Sequence, residues 1–472
     1  MKNDLPELAA LEALLHDQRA AWLRAPFPTW PERERHLKAL RALLLDNRDA
    51  LADALNEDFG NRAKEEILLS EIFVAKEEID AALKHGKHWM KPQHRTTNRW
   101  LLPARAKVVP QPLGVVGIIV PWNYPILLAA GPLISALTAG NRAIIKMSEL
   151  TPRTSALFEQ LVAKRFAREH VAVVNGDASL AAAFSAQPFD HLLFTGSTKI
   201  GHEVMRAAAA NLTPVTLELG GKSPAIIGRH ARFDYAVDNI LAGKTLNAGQ
   251  TCIAPDYVLV PRGQEQAFVE RARRSVAKTY PNFGQNRDYT SIVSDRHYAR
   301  LQQLADEAEA AGAQLHPLAD AGSDRATRRF VPTVVIGAPD HVALMHEEIF
   351  GPLLPVVPYD SLEEALRYVN TRPRPLALYL YADDASTVER VTHGTIAGGM
   401  AINETLMHIA CESLPFGGVG ASGMGAYHGY EGFATFSKMK PVLTQARFNA
   451  RGLIAPPYGR RFRMLLKLML RF

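Results

Sequence analysis

The chain has 472 residues, of which 47% are apolar and 22% are charged, and it contains two cysteines. Its length predicts about two or three domains, and its ordinary composition excludes a largely disordered protein. Two cysteines are too few for a disulfide framework, so we expect a reducing, cytoplasmic location. The N-terminus has no unbroken apolar core, which argues against a secretory signal, and no stretch approaches the roughly 20 apolar residues of a membrane span.

The formal net charge of +6 is concentrated at the carboxyl end of the chain. Residues 447–472 contain no acid and seven basic residues, which are Arg447, Arg451, Arg460, Arg461, Arg463, Lys467 and Arg471. The rest of the chain is nearly neutral, with 47 basic residues against 48 acidic ones. A basic composition confined to the tail does not indicate binding to nucleic acid.

The first 90 residues are predicted to be helical. Thr29, Pro31 and Glu32 form a helix start with a capping box, and leucines follow at helical spacing from Leu37 to Leu55. Residues 63–90 have the periodicity of another amphipathic helix.

Short apolar runs then alternate with helical segments. Runs typical of strands buried on both faces occur at 115–120, 143–146, 171–174 and 189–195. A second alternating stretch follows residue 221, with strands predicted at 224–227, 257–260, 354–357 and 376–381. This alternation predicts an α/β fold with a parallel, Rossmann-type nucleotide-binding half and a second α/β half. Ligands are expected beyond the carboxyl ends of the strands.

Two residues are the main candidates for chemistry. Cys252 ends the segment NAGQTC in a predicted loop between a helix and a strand, where a thiolate could serve as nucleophile and leaving group. Alternatively, it is a small buried core residue. Glu218 ends an apolar strand and precedes two glycines, where partial desolvation could make it a general base. The alternative for Glu218 is a surface glutamate before a turn.

Three further segments could bind a cofactor or support the reaction. The turn at 196–201 could bind phosphate through backbone N–H groups, although it has neither GxGxxG spacing nor a Walker motif. Asn123, in the turn PWNYP, could donate to a developing oxyanion. Lys146 and Glu149 follow a strand and could hold a ribose or phosphate. Each segment could also be an ordinary turn or a solvated strand end, and no metal site is predicted.

In this order and spacing, the motifs resemble those of the aldehyde dehydrogenase superfamily. The resemblance runs from about residue 30 to residue 445 and includes LELGGKSP at 217–224, NAGQTC at 247–252, EEIFGP at 347–352 and PFGGVG at 415–420. The segments APDY at 254–257, NETLMH at 403–408 and GMGAYHG at 423–429 resemble the class 3 branch. Within that branch, the chain is most similar to the bacterial coniferyl aldehyde dehydrogenases.

The resemblance implies that an aldehyde is oxidised to the carboxylic acid with NAD, or alternatively NADP. Cys252 would attack the aldehyde carbon, Asn123 and the Cys252 backbone N–H would stabilise the oxyanion, and Glu218 would activate water to hydrolyse the thioester. The residues expected at the cofactor are Trp122, Lys146, Glu149, Gly196, Ser197, Thr198, Lys199, Ile200, Gly201, Leu219, Glu348 and Phe350. The substrate would be an aromatic aldehyde such as coniferyl aldehyde, or a long-chain aliphatic one.

The resemblance also implies how the chain is organised. Residues 1–97 and 113–220 would form the cofactor-binding domain, residues 221–430 the catalytic domain, and residues 98–112 and 431–446 the oligomerisation strands of a homodimer.

Residues 447–472 are predicted to form a basic amphipathic tail, too short to span a bilayer. Its apolar face is predicted from Met464, Leu465, Leu468 and Phe472. The tail would touch an anionic membrane surface weakly, fold over a neighbouring subunit, or dock on its own domain.

Two other classes of function are alternatives to an aldehyde dehydrogenase. A cysteine hydrolase would need a histidine to activate Cys252, and His170, His191 and His202 show no evident pairing with it. A non-catalytic scaffold that kept the fold is disfavoured, because the candidate nucleophile, base and oxyanion donor are all present.

Overall fold

The computed structural model describes residues 6–449 and 451–470. The strands are β1 (Gln93–Arg95), β2 (Arg105–Pro112), β3 (Val115–Ile119), β4 (Arg142–Lys146), β5 (Val171–Val174), β6 (His191–Thr195), β7 (Val215–Glu218), β8 (Pro224–Ile227), β9 (Tyr257–Pro261), β10 (Gln314–Pro317), β11 (Thr333–Ile336), β12 (Leu353–Tyr359), β13 (Ala377–Tyr381), β14 (Gly399–Ile402), β15 (Gly423–Met424) and β16 (Ser437–Thr444). The helices are α1 (Pro6–Arg24), α2 (Trp30–Asp46), α3 (Arg48–Phe59), α4 (Lys64–Ile67), α5 (Val74–Trp89), α6 (Pro125–Ala139), α7 (Pro152–Arg165), α8 (Ala178–Ser185), α9 (Thr198–Ala209), α10 (Phe233–Thr245), α11 (Glu265–Thr279), α12 (Asp295–Ala310), α13 (Ala343–His346), α14 (Leu362–Asn370), α15 (Ala385–Gly394), α16 (Gly429–Thr435), α17 (Arg451–Ile454) and α18 (Arg460–Met469).

A six-stranded sheet contains the four strands of the first predicted group, β3 to β6, together with β7 and β15, in the order β15-β7-β6-β3-β4-β5. Its strands are parallel except for β15, which pairs with β7 in the antiparallel sense. Strands β3 and β6 are buried along their whole length, as their unbroken apolar runs require.

A seven-stranded sheet contains the four strands of the second predicted group, β8, β9, β12 and β13, together with β10, β11 and β14, which were not predicted. Its order is β10-β11-β12-β9-β8-β13-β14. It is also parallel except for one edge, where β10 runs antiparallel to β11. The predicted α/β class and parallel sheets are therefore confirmed, and the strand bounds differ from the predicted ones by a few residues.

A separate three-stranded antiparallel sheet has the order β1-β2-β16. Strands β2 and β16 pair along their full lengths, so strands do form within both predicted oligomerisation segments. The predicted bounds need correction, because β1 precedes residue 98 and a short 3₁₀ helix occupies Arg99–Leu101. In the second segment, residues before 437 belong to α16, which packs on α5 and α6.

The chain returns to the six-stranded sheet before residue 430, where the catalytic domain was predicted to end. Gly423 of β15 lies opposite Glu218 of β7, and the backbone N–H of Leu219 donates to the Ser422 carbonyl at 3.0 Å. Residues 422–424 thus complete the edge of the six-stranded sheet. Local sequence could not show this, because a two-residue strand has no periodicity.

The helical N-terminal region follows its sequence signals, with one irregularity. The Glu32 carboxylate accepts from the Thr29 backbone N–H at 2.6 Å, which completes the predicted capping box of α2. The predicted helix over 63–90 is continuous from α4 to α5 but passes through a π-helical turn, Leu68–Phe73. Such turns are frequent at functional sites, and this one borders the cavity described below.

The tail contains α18, a short exposed helix that lies within the predicted amphipathic segment. Met464 and Leu468, predicted for its apolar face, are exposed, and Phe472 lies outside the described residues. Leu465, also predicted for that face, is half-buried, as are Phe462 and Met469, which were not predicted for it. None of the helices in the described ranges combines the length and apolar character needed to cross a bilayer.

Candidate active site

The structure brings Glu218 and Cys252 to the wall of one cavity of about 310 Å³. Glu218 is the last residue of β7, and Cys252 lies in the loop between α10 and β9. The two residues therefore come from different sheets and meet where strands of the six-stranded sheet end. This is the edge at which parallel α/β sheets place ligands.

The loop before Cys252 has a strained backbone. Asn247 and Ala248 both have positive φ angles, 49° and 51°, and Gly249 follows with a φ of 75°. A side chain at Gly249 would approach the Gly351 carbonyl oxygen to 2.4 Å, so glycine is required there. Non-glycine residues keep a left-handed backbone only where surrounding contacts hold them. The conformation of this loop is therefore fixed by the residues packed around it.

The environment of Cys252 disfavours its thiolate. Burial, together with the negative charges of Glu348 and Glu218, raises the pKa of the half-buried thiol to about 12. The group is free and borders the cavity, which sets it apart from an inert core cysteine. Cys411 is also free, and it does not belong to the described cavity lining.

Glu218 is a buried carboxyl group, and no hydrogen bond within the described chain compensates for its loss of water. Its side chain is 2% exposed, and within the described chain neither of its carboxylate oxygens has a hydrogen-bond partner. Burial therefore raises the pKa of Glu218 well above its usual value. The alternative of a surface glutamate is wrong, because the residue lines the cavity.

Asn123 lies beside the cysteine loop and is buried. Its amide Nδ2 donates to the Gln250 carbonyl oxygen at 3.2 Å, two residues before Cys252. The next residue, Tyr124, reaches the same loop through a 2.7 Å hydrogen bond between its hydroxyl and Thr251 Oγ1. The PWNYP turn is thus tied to the loop that carries the thiol.

The candidate adenosine-side residues lie at the ends of β4 and β6. The buried Lys146 donates from Nζ to the Met147 carbonyl at 2.6 Å, and its ammonium is 3.8 Å from the exposed carboxylate of Glu149. In the turn between β6 and α9, the Ser197 side chain caps the helix. Gly201 packs so closely on Leu219 that an added Cβ would lie 2.7 Å from the leucine.

Other side chains of this turn point in different directions. Thr198 Oγ1 donates to the Ala421 carbonyl at 3.1 Å, whereas Lys199 and Ile200 are exposed. Gly196 donates its backbone N–H to the Glu218 carbonyl at 3.0 Å, which fixes the turn against the end of β7.

The candidate nicotinamide-side residues form one aromatic and acidic group. The rings of Trp122 and Phe350 meet edge to face at 5.3 Å, and Phe350 has a positive φ of 48°. Burial raises the pKa of Glu348 to about 8, and its buried Oε1 has no partner among the described residues. An added Cβ on Gly220 would lie 2.0 Å from that oxygen, so the glycine lets the carboxylate sit against the backbone.

Sequence reasoning missed several residues of the cavity. Tyr427, Thr195, Asn239 and Glu404 line it, as do Leu69 and Phe73 from the π-helical turn. Tyr427 and Glu404 lie inside segments that resembled the class 3 branch, so a signal existed for them. No motif in the sequence indicated that side chains of the π-helical turn would line the cavity. The described lining contains no histidine, so a cysteine hydrolase with a histidine base has no structural support.

Comparisons with known proteins agree with this geometry. The profile of the aldehyde dehydrogenase family matches residues 10–442. A probable coniferyl aldehyde dehydrogenase of Pseudomonas aeruginosa is 52% identical over 99% of this chain and 97% of its own length. A coniferyl aldehyde dehydrogenase of a Pseudomonas species is 47% identical over 91% of this chain and 90% of its own length.

Solved structures show the same architecture. A substrate-bound state of AldH from Staphylococcus aureus superimposes with a TM-score of 0.92 at 37% identity, covering 97% of this chain and 99% of the other. An NAD⁺ complex of aldehyde dehydrogenase from Bacillus cereus gives a TM-score of 0.83 at 26% identity, covering 93% and 89%. The chain belongs to the aldehyde dehydrogenase family and is an enzyme that oxidises an aldehyde to the carboxylic acid with a nicotinamide cofactor.

Proposed function

We propose that this enzyme oxidises aromatic aldehydes of the coniferyl type, with Cys252 as nucleophile, Asn123 as oxyanion donor and Glu218 as general base. The observation that carries the proposal is the shared cavity of Cys252 and Glu218, which is lined mainly by apolar and aromatic side chains. The names of the Pseudomonas relatives support the same substrate class.

A polar corner of the cavity favours a hydroxylated aromatic substrate over a long-chain aliphatic one. Glu404 Oε1 accepts from Asn239 Nδ2 and from the Thr405 backbone N–H, both at 2.7 Å. Both the Glu404 and the Asn239 side chains line the cavity, and no hydrogen bond to Glu404 Oε2 is found among the described residues. That oxygen could accept from a phenolic hydroxyl, a contact that an alkyl chain cannot make.

The first chemical step forms a bond between Cys252 Sγ and the aldehyde carbon. The thiol must lose its proton, which passes to solvent, and Glu218 is left unprotonated for the later hydrolysis of the thioester. The carbonyl oxygen gains negative charge. An amide has two N–H donors, and Asn123 uses one of them at the Gln250 carbonyl. The second, together with the Cys252 backbone N–H, is available to the oxyanion.

The residues expected at the cofactor fit a nicotinamide dinucleotide. Buried polar atoms without protein partners, Glu348 Oε1 and Thr195 Oγ1, indicate that a further polar group belongs in this part of the cleft. Glu348 would hold the nicotinamide ribose, Phe350 and Trp122 would pack near the ring, and residues 196–201 would lie near the pyrophosphate. When bound, the cofactor accepts the two electrons that convert the cysteine adduct to a thioester.

Lys146 and Glu149 would hold the adenine ribose. We propose NAD rather than NADP, because the Glu149 carboxylate beside Lys146 would repel a 2′-phosphate.

Glu218 completes the cycle by removing a proton from water, which adds to the thioester and releases the acid and the Cys252 thiol. Its raised pKa makes the Glu218 carboxylate a stronger base toward water than a solvated one. We assign the six-stranded sheet to the cofactor domain and the seven-stranded sheet to the catalytic domain. The two free cysteines support a reducing, cytoplasmic location.

We propose a homodimer joined through the three-stranded sheet. β16 forms one edge of this sheet, and unpaired strand edges favour pairing with another chain.

The basic residues of 451–470 are free to approach a negatively charged surface, because α18 is largely exposed. Weak contact with anionic lipid is the role we assign to the tail.

The raised thiol pKa predicts slow alkylation of the cofactor-free enzyme. In a Cys411→Ser background, the rate of Cys252 modification by iodoacetamide should rise steadily with pH up to about 10, because the pKa is about 12. Glu348→Gln should increase the rate at pH 9 by about tenfold or less, since one pKa unit is tenfold in thiolate. Glu347→Gln, at the exposed neighbouring position, is the control. A plateau below pH 8 would contradict the assignment.

The proposed roles predict two different losses of activity. Cys252→Ser should abolish dehydrogenation while NAD still binds, whereas Cys411→Ser should be close to neutral. Glu218→Gln should still give the first turnover of NADH but slow acid release, because its base acts on the thioester. Rapid-mixing absorbance followed by mass spectrometry of Cys252 measures both steps. Near-normal turnover by Cys252→Ser, or no acyl adduct in Glu218→Gln, would refute the corresponding role.

The polar corner predicts selectivity for a phenolic hydroxyl. Glu404→Gln should lower kcat/KM for coniferyl aldehyde by about 10-fold or more, because a hydrogen bond to a charged group contributes about 1.5–3 kcal/mol. The same change should hardly affect cinnamaldehyde, which lacks the hydroxyl. Glu389→Gln, on the exposed face of α15, is the control. Equal losses for both aldehydes would remove Glu404 from substrate recognition.

The assembly proposal predicts separate behaviour for the sheet and the tail. Light scattering should give twice the chain mass of 51.9 kDa for the full chain, and twice its own smaller chain mass for a chain that ends at Pro457. In liposome flotation, only the full chain should move with anionic vesicles, and neither should move with neutral ones. A monomer mass would overturn the dimer, and equal recovery of both chains in the soluble fraction would overturn lipid contact.

A further inference from the structure

A fully buried guanidinium lies behind the candidate oxyanion site. Arg62 is 0% exposed, and its Nη1 donates at 2.9 Å both to Glu71 Oε1 and to the backbone carbonyl of Asn123. Its Nε donates to Glu66 Oε1 at 3.0 Å. The charge also lies 4.6 Å from the ring centre of Tyr124. One side chain thus joins the loop after α3, the helix of α4 and the π turn, and the Asn123 turn.

Glu71 connects this cation to the start of α6. Its Oε2 accepts from the backbone N–H groups of Ile126 and Leu127, at 2.8 and 3.2 Å. These are the N–H groups that a helix leaves unpaired at its N-terminus, where negative charge is favourable. The turn that carries Asn123 is therefore held from both sides, at its own carbonyl and at the helix that follows.

Glu66 and Asn247 extend the network to the loop that carries the thiol. Glu66 Oε2 accepts from the Asn247 backbone N–H at 3.1 Å. The Asn247 side-chain amide donates to the Asn123 carbonyl at 3.1 Å, so Arg62 and Asn247 share this acceptor. Asn247 is one of the left-handed residues of the strained loop, and these contacts explain how its backbone is held.

We propose that Arg62 is a positioning residue that fixes Asn123 relative to the loop of Cys252, through its contact with the Asn123 carbonyl and through Glu66 and Asn247. The inference rests on the oxyanion role proposed for Asn123. Arg62 is not part of the described cavity lining, and neither is Asn123, so the proposed role of Arg62 is to act through the Asn123 turn that it contacts.

The planar guanidinium is essential to this arrangement. It donates from Nε and Nη1 to three acceptors, and from Nη2 to Ser70 Oγ at 3.4 Å. A lysine ammonium keeps the charge beside Glu71 but cannot reproduce these directions on a flexible stem. Lysine substitution therefore separates the charge of the pair from its geometry.

Arg62→Lys should lower the rate of first-turnover NADH formation by up to ~10²-fold with little change in KM, because small misplacements of a reacting group slow the chemical step. Arg33→Lys is the matched control. Arg33 is also buried and donates to the carbonyls of Pro28 and Thr138, away from the cysteine loop. It should lower the unfolding temperature while leaving the first-turnover rate within about twofold.

A double-mutant cycle on that rate separates positioning from general damage. Asn123→Ala should cost ~10²–10³-fold, as loss of an oxyanion donor does. Adding Arg62→Lys to Asn123→Ala should change the rate by no more than about twofold, because the group being positioned is already gone. Losses that multiply, or an equal loss in Arg33→Lys, would overturn the inference.

Failure of the oxyanion role has a distinct signature, which is an unchanged rate in Asn123→Ala. In that case, alkylation of Cys252 decides the remaining part of the inference. A changed rate in Arg62→Lys supports positioning of the loop, and an unchanged rate refutes it. If Arg62→Lys fails to fold, Glu66→Gln replaces it in the same cycle, since this milder variant weakens the link between Arg62 and Asn247.

Discussion

Removal of water from ionisable groups is the constraint on which this active site depends. Glu218 lies at the end of a buried strand with no polar partner among the described residues, and burial alone raises its pKa. Burial also raises the pKa values of Glu348 and Cys252. The nearby carboxyl groups of Glu348 and Glu218 raise the pKa of Cys252 further. Three groups that would be charged or readily ionised in water are thus held toward their neutral forms. Each group therefore binds a proton more tightly than it would in water, which makes its ionised form a stronger base.

The surroundings of the site follow the opposite rule. Arg62 and Glu71 are as deeply buried as Glu218, and burial also raises the pKa of Glu71 to about 7, yet the two contact one another. Their other partners are the Asn123 carbonyl, the first N–H groups of α6, and the side chains of Glu66 and Ser70. Breaking such a pair leaves a buried charge unpaired, so the arrangement resists movement. The uncompensated acids Glu218 and Glu348 therefore lie at the proposed reaction and cofactor sites, whereas the paired acid Glu71 lies where it holds the backbone.

The cavity combines this dry wall with selective polarity. Most of its lining is apolar, so the cavity walls offer few groups that could hold water near the proposed thioester. Glu404 and Asn239 supply polarity away from the end of β7, on α10 and the segment after β14. Because these two groups already bond to each other, the acceptor that we propose for a substrate hydroxyl is held in place before binding.

Local patterns in the amino-acid sequence predicted the α/β class, most strand positions, the cysteine loop and the glutamate at the end of β7. These depend on local apolar runs and on motifs of a few adjacent residues, which periodicity and spacing reveal. Only the tertiary structure decided that residues 422–424 return to the first sheet, that a π turn lines the cavity, and that Arg62 contacts the Asn123 turn. Each of these depends on contacts between residues far apart in the chain, 61 positions apart for Arg62 and Asn123. The energy of such contacts comes from burial and pairing in the folded state, and it leaves no periodic trace in the chain.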